Sequence, residues 1–141
     1  MRAKEYLLQI SKIDKLIENK IAEMEHWRLV AESTGTYSEG ERVQSSSSGQ
    51  KMADAVVRYV SIQEEIAAEV ARLIDTKQDV IRTIEQLPAE KYNVLHKVYV
   101  QGLDLNVVAI DAKKSYSWAT TVHGRALQDL QRILDKKCDI V

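Results

Sequence analysis

A single cysteine, a single proline, five glycines and no phenylalanine stand in a chain of 141 residues. Cys138 has no partner within the chain, so no intramolecular disulfide staples the fold and a reducing compartment suits it. So few glycines and prolines leave few places to turn, which predicts long helices. No uncharged apolar run approaches the roughly 18 to 20 residues a bilayer span needs. The opening Met1–Leu8 also lacks the apolar core of a signal peptide. A cytoplasmic protein with no membrane partner is the expectation.

Catalytic signatures are missing as well. There is no Gly-rich loop ending in Lys-Ser or Lys-Thr, no Cys-x-x-Cys and no His-Glu-x-x-His. His26, His96 and His123 have no Cys, Asp or Glu companions at ligand spacing, so neither a metal nor another cofactor is expected. The serine run near residue 45 has no base placed to activate it. The expectation is a protein that is not an enzyme.

What is present is a helical pattern. With 45% hydrophobic and 29% charged residues, the chain has enough apolar surface to fold. From Arg2 to about Ser33 the residues Tyr6, Ile10, Ile13, Ile17, Met24 and Trp27 recur at threes and fours, with Lys20 interrupting. Residues 34–51 are rich in Gly and Ser and read as a flexible loop. Met52, Val56, Tyr59, Gln63, Ile66, Val70, Leu73, Lys77, Val80, Ile84 and Leu87 then form a second seam, with Val60, Ala67, Ile74 and Ile81 one position further round. The simplest arrangement is an antiparallel, coiled-coil-like hairpin over residues 1–87 that serves oligomerisation or partner binding.

Pro88 breaks the pattern and suits the first turn of a new helix, running to about Val100. Gly102 is placed to end that helix in a left-handed cap, and Asp104 to begin a short one carrying Leu105, Val108 and Ala109 inward. Ser115 or Ser117 opens the last helix, where Ala119, Val122, Ala126, Leu130 and Ile133 share a face. The fold class expected is all-α: the long hairpin, then a three-helix helix-turn-helix domain over residues 88–141.

Charge is distributed unevenly along the chain. Residues 1–87 carry 12 basic and 15 acidic side chains, whereas residues 113–137 carry six Lys or Arg against Asp129 and Asp135. A local excess of positive charge in a small helical segment suits nucleic acid.

Leu87-Pro88, Val94-Leu95, Tyr99, Gly102-Leu103, Val108-Ala109, Ser115, Arg125-Ala126-Leu127 and Leu130 follow the pattern of the DNA-binding region four of sigma-70 family factors, which residues 87–134 resemble. Three further stretches are Arg2-Ala3-Lys4-Glu5-Tyr6-Leu7, Val43-Gln44-Ser45-Ser46 followed by Lys51-Met52, and His123-Gly124-Arg125-Ala126-Leu127. On these the whole chain resembles small phage proteins of Gram-positive hosts related to the ArpU and RinA late-transcription regulators. The resemblance implies a phage-encoded regulator in the host cytoplasm that binds double-stranded DNA and activates late genes by recruiting RNA polymerase. It departs from the sigma pattern at Asp111-Ala112-Lys113-Lys114, where Leu-Gly usually makes the turn, and in a last helix poor in Arg and Gln.

On that alignment Tyr116, Ser117, Thr120 and Thr121 are the candidates for base contacts, since hydroxyls reach base edges and threonine methyls reach thymine. Lys113, Lys114, His123 and Arg125 are the candidates for phosphate contacts. The partners expected are double-stranded DNA, host RNA polymerase and a second copy, a homo-oligomer with a dimer favoured. Two alternatives stand beside this: a DNA-packaging protein like the small terminase subunits, and a protein that contacts host RNA polymerase or sigma factor without binding DNA.

Overall fold

The computed structural model describes residues 1–37 and 45–140. Among them there are five α-helices and no strand: α1 (Ala3–Tyr37), α2 (Ser45–Ile84), α3 (Ala89–Leu95), α4 (Leu105–Asp111) and α5 (Tyr116–Ile140). The all-α expectation is met. The loop expected over residues 34–51 is shorter than its composition suggests, because α1 continues to Tyr37 and α2 starts at Ser45. Ser costs only tenths of a kcal/mol per residue in a helix and is at home near an N-terminus, so a serine run does not forbid helix. The rest of that stretch, residues 38–44, lies outside the described residues.

The chain divides into two compact units, Asp14–Arg72 and Met1–Ile13 with Leu73–Val141. In the first, α1 and α2 run antiparallel: Lys20 Nζ meets Glu65 at 3.3 Å and Glu23 meets Arg58 at 3.0 Å, so partner numbers fall on α2 as they rise on α1. Lys20, which interrupts the apolar seam of α1, is half-buried and satisfied by that ion pair.

The register of α2 differs from the seam read in the sequence. Ala55 and Ile62 are the buried residues here, with Tyr59 and Ile66 half-buried, while Met52, Val56, Val60, Gln63, Ala67 and Val70 are exposed. The helix is apolar around more than one row, and a single partner helix covers only one of them. α1 takes the row next to Arg58 and Glu65, where ion pairs close the edge.

In the second unit the start of α1 and the end of α2 join the three C-terminal helices around one core. Ala3, Tyr6, Leu7 and Ile10 pack with Val80, Ile84 and Leu87, with Leu95 and Tyr99, and with Ala126, Leu130 and Leu134. A polar clamp lies at its edge, with Tyr6 and Thr83 buried and Asp79 and Lys137 exposed. The Tyr6 hydroxyl donates to Asp79 Oδ2 at 2.5 Å and lies 2.9 Å from Thr83 Oγ1, which also accepts from Lys137 Nζ at 2.9 Å. Burial, then the Asp79 carboxylate, pushes the Tyr6 phenol up to about 12, so it remains a donor throughout the physiological range.

Pro88 stands at the N-cap of α3, as its missing N–H requires. α3 continues as a π-helical turn over His96–Val100, which the sequence did not announce. Gly102 ends it at φ 74°, the left-handed conformation glycine adopts most readily, and the Leu103 N–H closes onto the Lys97 carbonyl at 2.9 Å. Asp104 occupies the N-cap of α4, but its carboxylate makes no capping hydrogen bond; the extended backbone alone opens the helix. Ser115 caps α5, its Oγ accepting from the Trp118 N–H at 3.0 Å.

Candidate nucleic-acid interface

The face of α5 is set by what its other side buries. Ala119, Val122, Ala126 and Leu130 turn inward at helical spacing, as their pattern predicted. Leu134 is buried where the sequence favoured Ile133, which is half-buried. Opposite them Ser117, Thr120, Thr121, Gly124 and Gln128 are exposed, with Tyr116 at 54% exposure where the helix begins.

Nothing lies within 4 Å of where a Cβ on Gly124 would sit. Among the described residues no neighbouring helix therefore requires glycine there, and the residue leaves a flat place in the middle of the exposed face. Thr120 and Thr121 both donate their hydroxyl hydrogens to the Ser117 carbonyl at 2.9 Å. Toward solvent each then offers lone pairs and a methyl group, which suits the amino groups of adenine or cytosine and the methyl of thymine.

α4 and α5 are joined by a turn in which Lys113 has φ 56° and the Lys114 N–H reaches the Ala109 carbonyl at 2.9 Å. A lysine in the left-handed region costs roughly 1 kcal/mol. The turn is compact all the same, and it brings Lys113 and Lys114 to the start of α5. Lys113, Lys114 and Arg125 are exposed, and no ion pair among the described residues holds any of them. Two other lysines of this unit are engaged: Lys91 pairs with Asp129, and Lys97 lies 3.9 Å from Asp111.

His123 does not join these cations. Its ring is half-buried, stacked on Tyr99 at 5.6 Å between centroids, with Nε2 2.7 Å from the Tyr99 hydroxyl. Burial, then the charge of Lys4, holds its pKa below the usual imidazole value. The unfolded chain therefore binds a proton more readily than the folded one, so stability held above pH 6.5 is lost as the pH falls through the folded pKa. Between pH 7.5 and pH 5.5 the urea midpoint is expected to fall in the wild type and to fall less in His123→Gln; equal slopes in the two proteins would contradict this.

Trp118 is half-buried against Val94, Val108 and Val122, with its indole N–H donating to Glu90 at 3.1 Å. It lines a cleft of about 300 Å³ with Glu90, Asn93, Val94, Lys97, Val108 and Ala112. The Tyr99–His123 pair and the Trp118–Glu90 bond join residues 24 and 28 positions apart, and no local spacing signalled them. Among the described residues no three His, Cys, Asp or Glu side chains are grouped to hold a metal ion, and no helix is long and apolar enough to cross a membrane. Compared with known proteins, the chain matches no family model, no curated protein and no solved structure.

Proposed function

We propose that this chain is a DNA-binding transcription regulator encoded by a phage. In this reading α4, the turn and α5 act as a helix-turn-helix, and α5 enters the major groove. The observation that carries it is the pairing of two features on the open face and at the start of α5: the exposed Ser117, Thr120, Thr121 and Gly124, and Lys113, Lys114 and Arg125, which no ion pair among the described residues holds. The cations and the N-terminus of α5 attract phosphate, while the flat hydroxyl face meets base edges. Late promoters as the target, and recruitment of RNA polymerase as the mechanism, rest on the resemblance to phage late regulators. The hairpin of α1 and α2 serves self-association.

Replacing Thr120 and Thr121 together by Ala is expected to reduce the preference for the best site over an unrelated duplex by about tenfold while leaving affinity for unrelated DNA nearly unchanged. Competition binding measures both quantities. An undiminished preference would remove α5 from the groove.

A second reading has an observation of its own. Val107 at 40%, Ile110 at 73% and Tyr116 at 54% exposure are apolar groups left open on α4 and the start of α5. They favour a protein partner, host RNA polymerase or a sigma factor, whether or not DNA is bound.

A further inference from the structure

The unit Asp14–Arg72 has little interior of its own. Among its described residues only Ala55 and Ile62 are fully buried, and two helices alone enclose no more than a single line of side chains. Its two edges differ in chemistry. Along one, Glu23, Arg58, Glu65 and Lys20 form a chain of ion pairs. Ile21 on α1 and Val56, Gln63 and Val70 on α2 lie two residues before, or five after, members of that chain, which on a helix is the opposite edge. There Ile21 is 46% exposed, Val56 43%, Val60 46% and Val70 39%. On α2 the row Ala53, Val56, Val60, Gln63, Ala67 and Val70 steps by three and four, the spacing of a seam between helices.

We propose that this uncovered edge is the dimer interface, occupied by the same edge of a second copy of this chain running in the opposite direction. The inference rests on the self-association assigned to the hairpin in the proposed regulator, and it names the surface and the geometry. Three features make the edge complementary to itself when reversed about Gln63. Val56 then meets the partner's Val70, each seven residues from the centre. Gln63 meets the partner's Gln63, and a primary amide both donates and accepts, so it pairs with its own copy. Asp14 and Arg28 lie seven residues to either side of Ile21, so reversal sets Asp14 against the partner's Arg28, which within its own helix also pairs with Glu25 and Glu32. A parallel copy would set like charges together. The seam from Ala53 to Val70 is about 26 Å long on a hairpin about 20 Å wide. Two copies would cover on the order of 1,000 Å², at the lower end of what a specific dimer buries.

The test uses the full chain without DNA, so its outcome is independent of whether the chain binds DNA. Sedimentation equilibrium is expected to give twice the 16.0 kDa of one chain at micromolar concentration. Val60→Glu with Val70→Glu is expected to raise the dissociation constant about a hundredfold or more, because carboxylates would be buried unpaired at the seam. A second variant does not depend on disrupting anything. Gln63→Cys in a Cys138→Ser background is expected to form a covalent dimer on mild oxidation, whereas Glu64→Cys in the same background is not. A chain of single mass at every concentration overturns the proposal. So does a dimer that fails to cross-link at position 63, since its copies would meet elsewhere.

Discussion

Leu130→Ala is expected to lower the unfolding free energy by about 3 to 4 kcal/mol. Leu130 is fully buried at the point where α5 meets the start of α1, the end of α2, and α3. Truncation removes the transfer free energy of the side chain and leaves a cavity that four surrounding segments cannot close together. Domains of this size are stable by about 5 to 15 kcal/mol, so the loss is a large share of the total and lowers the melting temperature by roughly 10 °C. Leu127→Ala, on the half-buried edge of the same cluster, is expected to cost about 1 kcal/mol. Urea unfolding followed by circular dichroism measures both. Equal losses at the two positions would mean that the core does not centre on Leu130.

The second large effect concerns binding. Replacing Lys113, Lys114 and Arg125 together by Ala is expected to weaken DNA binding by roughly two orders of magnitude at low salt and to reduce the slope of log K against log salt by about 3. The loss should be similar on every duplex, because phosphate contacts carry no sequence information. Stability should change little. All three side chains are exposed, without ion pairs among the described residues, and alanine at position 113 meets the same backbone cost as lysine. Affinity and salt slope unchanged from the wild type would contradict the proposed docking. A loss confined to one sequence would contradict it equally, since it would make these residues base readers.

The elements that the sequence announced are those punctuated by single residues with one strong local preference. Pro88 opens α3, Gly102 closes its π-helical extension at positive φ, and Ser115 caps α5 with its hydroxyl. The inward residues of α5 followed from their spacing, because only one of its faces is apolar. α2 was harder. Its apolar residues fill adjacent rows, so periodicity identified a helix without saying which row α1 would take; the answer depended on Arg58 and Glu65 finding Glu23 and Lys20 across the pair. The ends of α1 and α2 also run further into the Gly- and Ser-rich stretch than composition suggested, since helix propensities there are weak and neighbouring turns decide.

The candidate interface was legible in the same uneven way. Exposure of Ser117, Thr120, Thr121, Lys113, Lys114 and Arg125 followed from the buried face of α5, because a helix that hides one stripe shows the other. His123 did not follow. It lies at the edge of the buried stripe, and only the approach of Tyr99 from the π-helical turn draws its ring inward and separates it from the neighbouring cations. That turn spans His96–Val100, and no residue within it has a local preference that would mark it. The left-handed Lys113 was likewise hidden, since lysine gives no signal for a conformation that glycine adopts freely.

In the proposed function the exposed face of α5 and the cations beside it read DNA. The most direct measurement is selection of a random-sequence duplex pool by the purified full chain at low and at near-physiological salt, followed by sequencing of what is retained. Retention at low salt is expected, with a steep loss as salt rises and enrichment of a short motif that survives at the higher salt. A chain that retains no duplex even at low salt would contradict it and leave a protein as the partner of this surface.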